Sequence, residues 1–122
     1  FDVRFKPLPP PTEKAEDLPK LQALVDDSKD RINGRLNEAT AGIEAVTGVG
    51  ELQNLNMYIG WLNAVEKILV HETLPAIDNF KAASLEGARA AITEARTQYQ
   101  QDTFKTIRDL HVAITNKRKE VD

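Results

Sequence analysis

The chain has 122 residues, 16 basic and 19 acidic side chains, a formal net charge of −3 and no cysteine. That length fits one domain, or one domain with a tail, and the charge gives no overall attraction to nucleic acid or anionic lipid. Without cysteine there is no disulfide, thiolate zinc site, iron–sulfur cluster or cysteine nucleophile.

The first residue is Phe1 rather than Met, so the chain is expected to be processed, trimmed or cut from something larger, and no signal peptide is visible in it. Its most apolar window, Leu52 to Val70, is interrupted by Gln53, Asn54, Asn56, Asn63, Glu66 and Lys67 and does not read as a bilayer span.

The opening residues differ from everything after them. Phe1, Val3 and Phe5 alternate with Asp2, Arg4 and Lys6, a short strand pattern with one apolar face. Pro7, Pro9, Pro10 and Pro11 follow, and proline, with φ fixed and no amide donor, favours an extended polyproline II segment over a helix. Residues 1–16 are therefore predicted to be an extended proline-rich arm, and residues 17–122 a helical bundle.

The first helix is predicted to start near Asp17, with Pro19 in its first turn. Leu21, Val25, Ile32, Leu36, Ala39, Ile43 and Val46 recur at mostly three- and four-residue steps, which marks an amphipathic helix. Leu21, Ile32 and Ile43 stand eleven apart, a period that argues against a left-handed heptad coil. Thr47-Gly48-Val49-Gly50 ends the pattern.

A second helix is predicted from about Glu51 to about Thr73. One face carries Leu52, Leu55, Tyr58, Ile59, Leu62, Val65 and Leu69, and a second seam carries Met57, Trp61, Ala64 and Ile68. A helix apolar on two seams needs neighbours on two sides, in the bundle or in another chain.

Leu74-Pro75 reads as a break or kink. A third helical pattern then runs from Pro75 to Val121, with Ile77, Ala88, Tyr99, Leu110 and Val121 again eleven apart. Ser84 to Gly87 offers a further break, which would make four helices. Unbroken, this helix would be about 70 Å long, against roughly 45 Å and 33 Å for the first two. The mismatch leaves the stripe of Ile107, Leu110, Ile114 and Val121 without an evident partner in the chain.

Motifs for chemistry are sparse. Asp26-Asp27-Ser28-Lys29-Asp30 spells D-D-x-x-D and resembles the magnesium-binding motif of terpene synthases, but the helical wheel turns all three aspartates away from the apolar face. His71 and His111 do not form a metal-ligand pair and read as capping or surface groups. Ser28 and Ser84 lie in helical patterns without a nucleophile elbow, and no phosphate-binding glycine loop is present. Lys117-Arg118-Lys119 suits a helix C-terminus. Arg4-x-x-Pro7-x-x-Pro10 has the shape of an SH3 ligand, while the Phe1/Val3/Phe5 face could add a strand to a sheet edge.

The expected fold class is all-α: an antiparallel helical bundle of three helices, or four, with a long C-terminal helix and an extended proline-rich N-terminal arm. The expected function is a non-enzymatic structural or protein–protein interaction module, a subunit of a larger assembly such as a virion, an appendage or a multisubunit complex. The alternative is a small helical-bundle carrier of a lipid or other apolar ligand. The partner-binding residues would be Phe1, Val3, Phe5, Pro7 and Pro10 on the arm, Met57, Trp61 and Ile68 on the second seam, and Leu110 and Ile114 on the last helix. A protein partner or self-association is expected, and no catalytic residue, metal, cofactor, nucleic acid or transmembrane segment.

Overall fold

The computed structural model describes residues 17–121, and the predicted arm and Asp122 lie outside them. The described chain is all-α. Its helices are α1 (Leu18–Ala45), α2 (Leu52–Ile68), α3 (Leu74–Ala83) and α4 (Glu86–Val121).

Helix α1 begins where Pro19, lacking an amide hydrogen, fits a first turn that needs no donor. Asp17 stands at the N-cap but makes no capping hydrogen bond with its side chain. The buried face is Leu21, Val25, Ser28, Ile32, Leu36, Ala39 and Ile43, an unbroken run of three- and four-residue steps. The helix ends where Val46 turns to extended backbone, and Val49–Glu51 make a 3-10 turn into α2.

The largest departure from the sequence reading is at Pro75. Leu69–Thr73 form a π-helical turn that joins α2 directly to α3, so the chain runs as one helical rod from Leu52 to Ala83. In a regular α-helix Pro75 would deprive the His71 carbonyl of its donor and press its ring against that carbonyl. The wider turn just before it relieves the crowding. Within the turn the Thr73 hydroxyl reaches the Ile68 carbonyl at 3.4 Å and supplies a donor.

The true break lies at Ser84–Leu85. Ser84 is extended, its Oγ donates to the Phe80 carbonyl at 2.7 Å, and its amide to the Lys81 carbonyl at 3.1 Å. It therefore closes the end of α3. The helix predicted to run from Pro75 to Val121 is thus divided, and its final part, α4, has 36 residues. The three rods are about 42, 48 and 54 Å long, much closer in length than the sequence reading made them.

Matched lengths remove the expected deficit of partners. Ile107, Leu110 and Ile114 are buried in the same core as Ile32, Leu36, Leu55, Leu62 and Val65, and Val121 packs against it. The stripe predicted to be unpartnered is covered by the chain's own helices. At this end of the molecule Lys117 Nζ donates to the Glu44 carbonyl at 3.4 Å, and the Arg118 guanidinium donates to Asn56 Oδ1. The basic cluster thus ties the end of α4 to the end of α1 and the start of α2. Toward the other end, Arg96 of α4 pairs with Asp78 of α3 at 2.8 Å.

Two glycines in helix interiors, Gly34 and Gly60, have open space where a Cβ would stand, and no glycine among the described residues has positive φ. Gly34→Ala and Gly60→Ala should each raise the unfolding free energy by about 0.5–1 kcal/mol. At Gly42 a Cβ would overlap Oη and Cζ of Tyr58. Gly42→Ala should therefore expel that ring and cost about 1 kcal/mol or more, despite the better helix propensity. Urea unfolding of the three variants checks both signs.

Candidate functional site

Three places on the described chain hold side chains that do more than fill the core. The first is at the edge where α2 meets α1. Met57 is 45% exposed. Trp61, one turn further on, meets the Tyr58 ring edge-on at 5.1 Å, and the Arg35 guanidinium of α1 lies over its face at 5.5 Å. Gly42 provides the room that Tyr58 needs for this arrangement. Ile68, which the sequence groups with Met57 and Trp61, is fully buried. The seam splits because its lower half, Ala64 and Ile68, meets neighbouring helices, while its upper half reaches the surface.

Of the other residues expected to bind a partner, Leu110 and Ile114 are likewise in the core, at 8% and 2% exposure. Their side chains pack against the rest of the chain's own core. Phe1, Val3, Phe5, Pro7 and Pro10 lie outside the described residues.

The second place is a buried polar group beside the π-helical turn. The hydroxyls of Ser28 and Thr73 hydrogen-bond to each other, and the Arg31 guanidinium pairs with Glu72 Oε1. The Glu72 side chain is only 5% exposed. Arg31 also meets Asp27 at 3.5 Å, one turn back along α1. Glu72 Oε2 is buried and receives no hydrogen bond from the described residues. Such a pair sets mutual attraction against a large desolvation cost, and it joins α1 to the turn.

The sequence contained a signal for this group. Val25 and Ile32 are seven apart, and Ser28 fills the missing step of the apolar face. Glu72 and Thr73 similarly fall in phase with Val65 and Leu69. Polar residues in apolar phase point to a partner across the core.

The third place is an apolar groove of about 260 Å³, open to solvent, between α1, α3 and α4. Gln22, Val25 and Lys29 form one wall, Ile77 and Phe80 the floor, and Ala91, Ile92 and Ala95 the other wall. Lys29 Nζ sits 4.6 Å above the ring of Tyr99. Burial raises the Tyr99 phenol above its ordinary value of 10.0, the Thr103 hydroxyl lowers it, and the charge of Asp30 raises it. No sequence periodicity marks this groove, because it is assembled from three helices.

The remaining sequence motifs are placed as follows. Asp26, Asp27 and Asp30 are exposed, and Asp26 accepts a hydrogen bond from Gln22 at 2.8 Å. Among the described residues no three histidine, aspartate or glutamate side chains converge on a point that could hold a metal ion. No helix among them is long and apolar enough to cross a membrane. His71 is exposed and His111 half-buried. Comparison of the chain with protein-family models, with curated proteins and with solved structures finds no match to any of them.

Proposed function

We propose that this chain is a non-enzymatic structural or protein–protein interaction module that serves as a subunit of a larger assembly. We read its three rods as an antiparallel bundle that carries an extended proline-rich arm. One docking element is that arm, with Phe1, Val3, Phe5, Pro7 and Pro10. The other is the patch at Met57 and Trp61.

The observation that carries this reading is the Arg35–Trp61–Met57 cluster. Arginine, tryptophan and methionine are enriched where proteins meet, and tryptophan and arginine anchors supply a large share of binding energy. Here a guanidinium stacked on an indole stands beside a substantially exposed methionine. The pieces of the predicted seam that turn out to be buried leave this compact patch as its surface remnant. The carrier alternative would draw on surface pockets such as the apolar groove of about 260 Å³, which is open to solvent where most small-ligand sites enclose their ligand.

Light scattering behind a sizing column, at two protein concentrations, tests the reading. The expected mass exceeds the 13.6 kDa of one chain and rises with concentration. Trp61→Ala and deletion of residues 1–11 should each reduce it while the helical circular dichroism persists. A mass of one chain at both concentrations would overturn self-association as the mode of assembly. Loss of the helical signal on deletion would make the arm part of the fold instead.

A further inference from the structure

We propose that the exposed face of α2 around Gly60 packs against the same face of a second copy of this chain, across a two-fold axis. The inference rests on the assembly reading and gives the patch at Met57 its partner.

The sequence of α2 singles this face out. Leu52 to Val65 contain no Asp, Glu, Lys or Arg, the longest such stretch in the chain. In a chain that is 29% charged, a helix that faces only solvent turns charges outward. Helices α1 and α4 do so, with exposed Asp26, Asp30 and Glu38 on one and Glu94, Lys105 and Arg108 on the other. The exposed positions of the charge-free stretch are instead Gln53, Asn54, Asn56, Met57, Gly60 and Asn63.

These residues are poor choices for a helix face that meets only water. Asparagine and glycine are weak helix formers, and Lys, Glu, Arg or Ala serve better wherever packing does not decide. The chain's own packing does not require Gly60, since open space stands where its Cβ would be. What glycine offers here is closeness, because a second helix can approach the backbone where no side chain stands.

The lack of charge fits a second copy in particular. In an isologous contact the residues near the axis meet their own copies, so a charge there would face its like. A face of uncharged residues escapes that repulsion. Its amide side chains suit the arrangement too, because each carries donors and an acceptor and can bond to its own copy. Met57 adds apolar area of the kind that interfaces favour. The surrounding charges are held at the margins. Arg35 lies over the Trp61 ring, Arg118 donates to Asn56 Oδ1, and Glu66 and Lys67 begin only past Val65.

Gly60→Glu and Gly60→Lys test the contact, with the mass of the full chain read by light scattering behind a sizing column. Both put a better helix former into open space, so each variant should keep the helical circular dichroism. The parent is expected to approach about twice 13.6 kDa as its concentration rises. Each variant should need a concentration about tenfold higher, or more, to reach that mass, because like charges are brought together near the axis. An equimolar mixture of the two variants should return to the parent mass, since an acid on one copy then faces a base on the other. Val112→Glu, at an exposed position of α4, should associate as the parent does.

A parent dimer that both Gly60 variants leave intact would overturn the contact while the assembly reading stands. So would variants of one-chain mass whose mixture stays apart, which would show that the face meets a different surface. A parent of one-chain mass at every concentration would overturn the contact and self-association together.

Discussion

Arg31→Met should lower the unfolding free energy by about 3 kcal/mol, because it strands the Glu72 carboxylate in the core without its counter-charge. The figure is at the low end for a buried pair because the Arg31 side chain keeps 29% of its exposure, and water already screens part of the interaction. The contribution of the pair itself is a separate matter. Replacing both partners, as Arg31→Met with Glu72→Met, removes the desolvation cost together with the attraction. The double variant should unfold within about 1 kcal/mol of the parent, or above it. Urea unfolding of the two single variants and the double variant forms a closed cycle that isolates the coupling. A loss under about 1 kcal/mol for Arg31→Met alone would show that Glu72 escapes to solvent, and that the pair does not hold the π-helical turn.

Ile114→Ala should cost the isolated chain about 2–4 kcal/mol, the usual range for truncating a buried branched side chain that leaves a cavity. Ile114 is 2% exposed and belongs to the shared core. Val112, two residues away on α4, is 53% exposed, and Val112→Ala should change stability by about 0.5 kcal/mol or less. The comparison separates two views of α4. If Ile114 served another molecule, its truncation would spare the single chain and weaken association. If it packs as observed, the melting temperature of the single chain falls at once. An unchanged melting temperature for Ile114→Ala would refute its place in the core.

These residues also show what could be read from the sequence. The face of α1 from Leu21 to Ile43 was legible, because each apolar side chain had to fall within one stripe to be covered. Ser28 in that stripe signals a polar partner across the core but does not name it, because Thr73 lies 45 residues away. Pro75 reads as a break because its cost in a regular helix is real, while the remedy, a wider turn, leaves no mark in local periodicity. With the break at Leu74-Pro75, the eleven-residue phase through Ile77, Ala88 and Tyr99 suggests one long helix. The phase across Ser84 is coincidental, for Ile77 is buried and Ala88 exposed. Shifting the break by ten residues equalises the rods and turns an apparent docking stripe into core.

The site was less legible than the fold. The seam groups Met57 with Trp61, but Arg35, which lies over the Trp61 ring, belongs to another helix and an apparently polar face. The groove required the relative axial positions of α1, α3 and α4, a property of packing that no single helix contains.

The continuity of the helix through Leu69–Thr73 has a mechanical consequence. In the antiparallel bundle proposed above, an unbroken turn makes the chain cross the molecule three times, and an odd number of crossings puts Asp17 and Val121 at opposite poles. Asp17 stands at the pole of Ser84, and Val121 at the pole of Thr47, roughly 45 Å apart by the helical rise. Tension applied at these two points would pull α1 and α4 lengthwise past each other and past the middle rod. Many side-chain contacts would then have to slide together instead of parting one by one. A helical domain loaded in this way acts as a tie, transmitting tension along its axis.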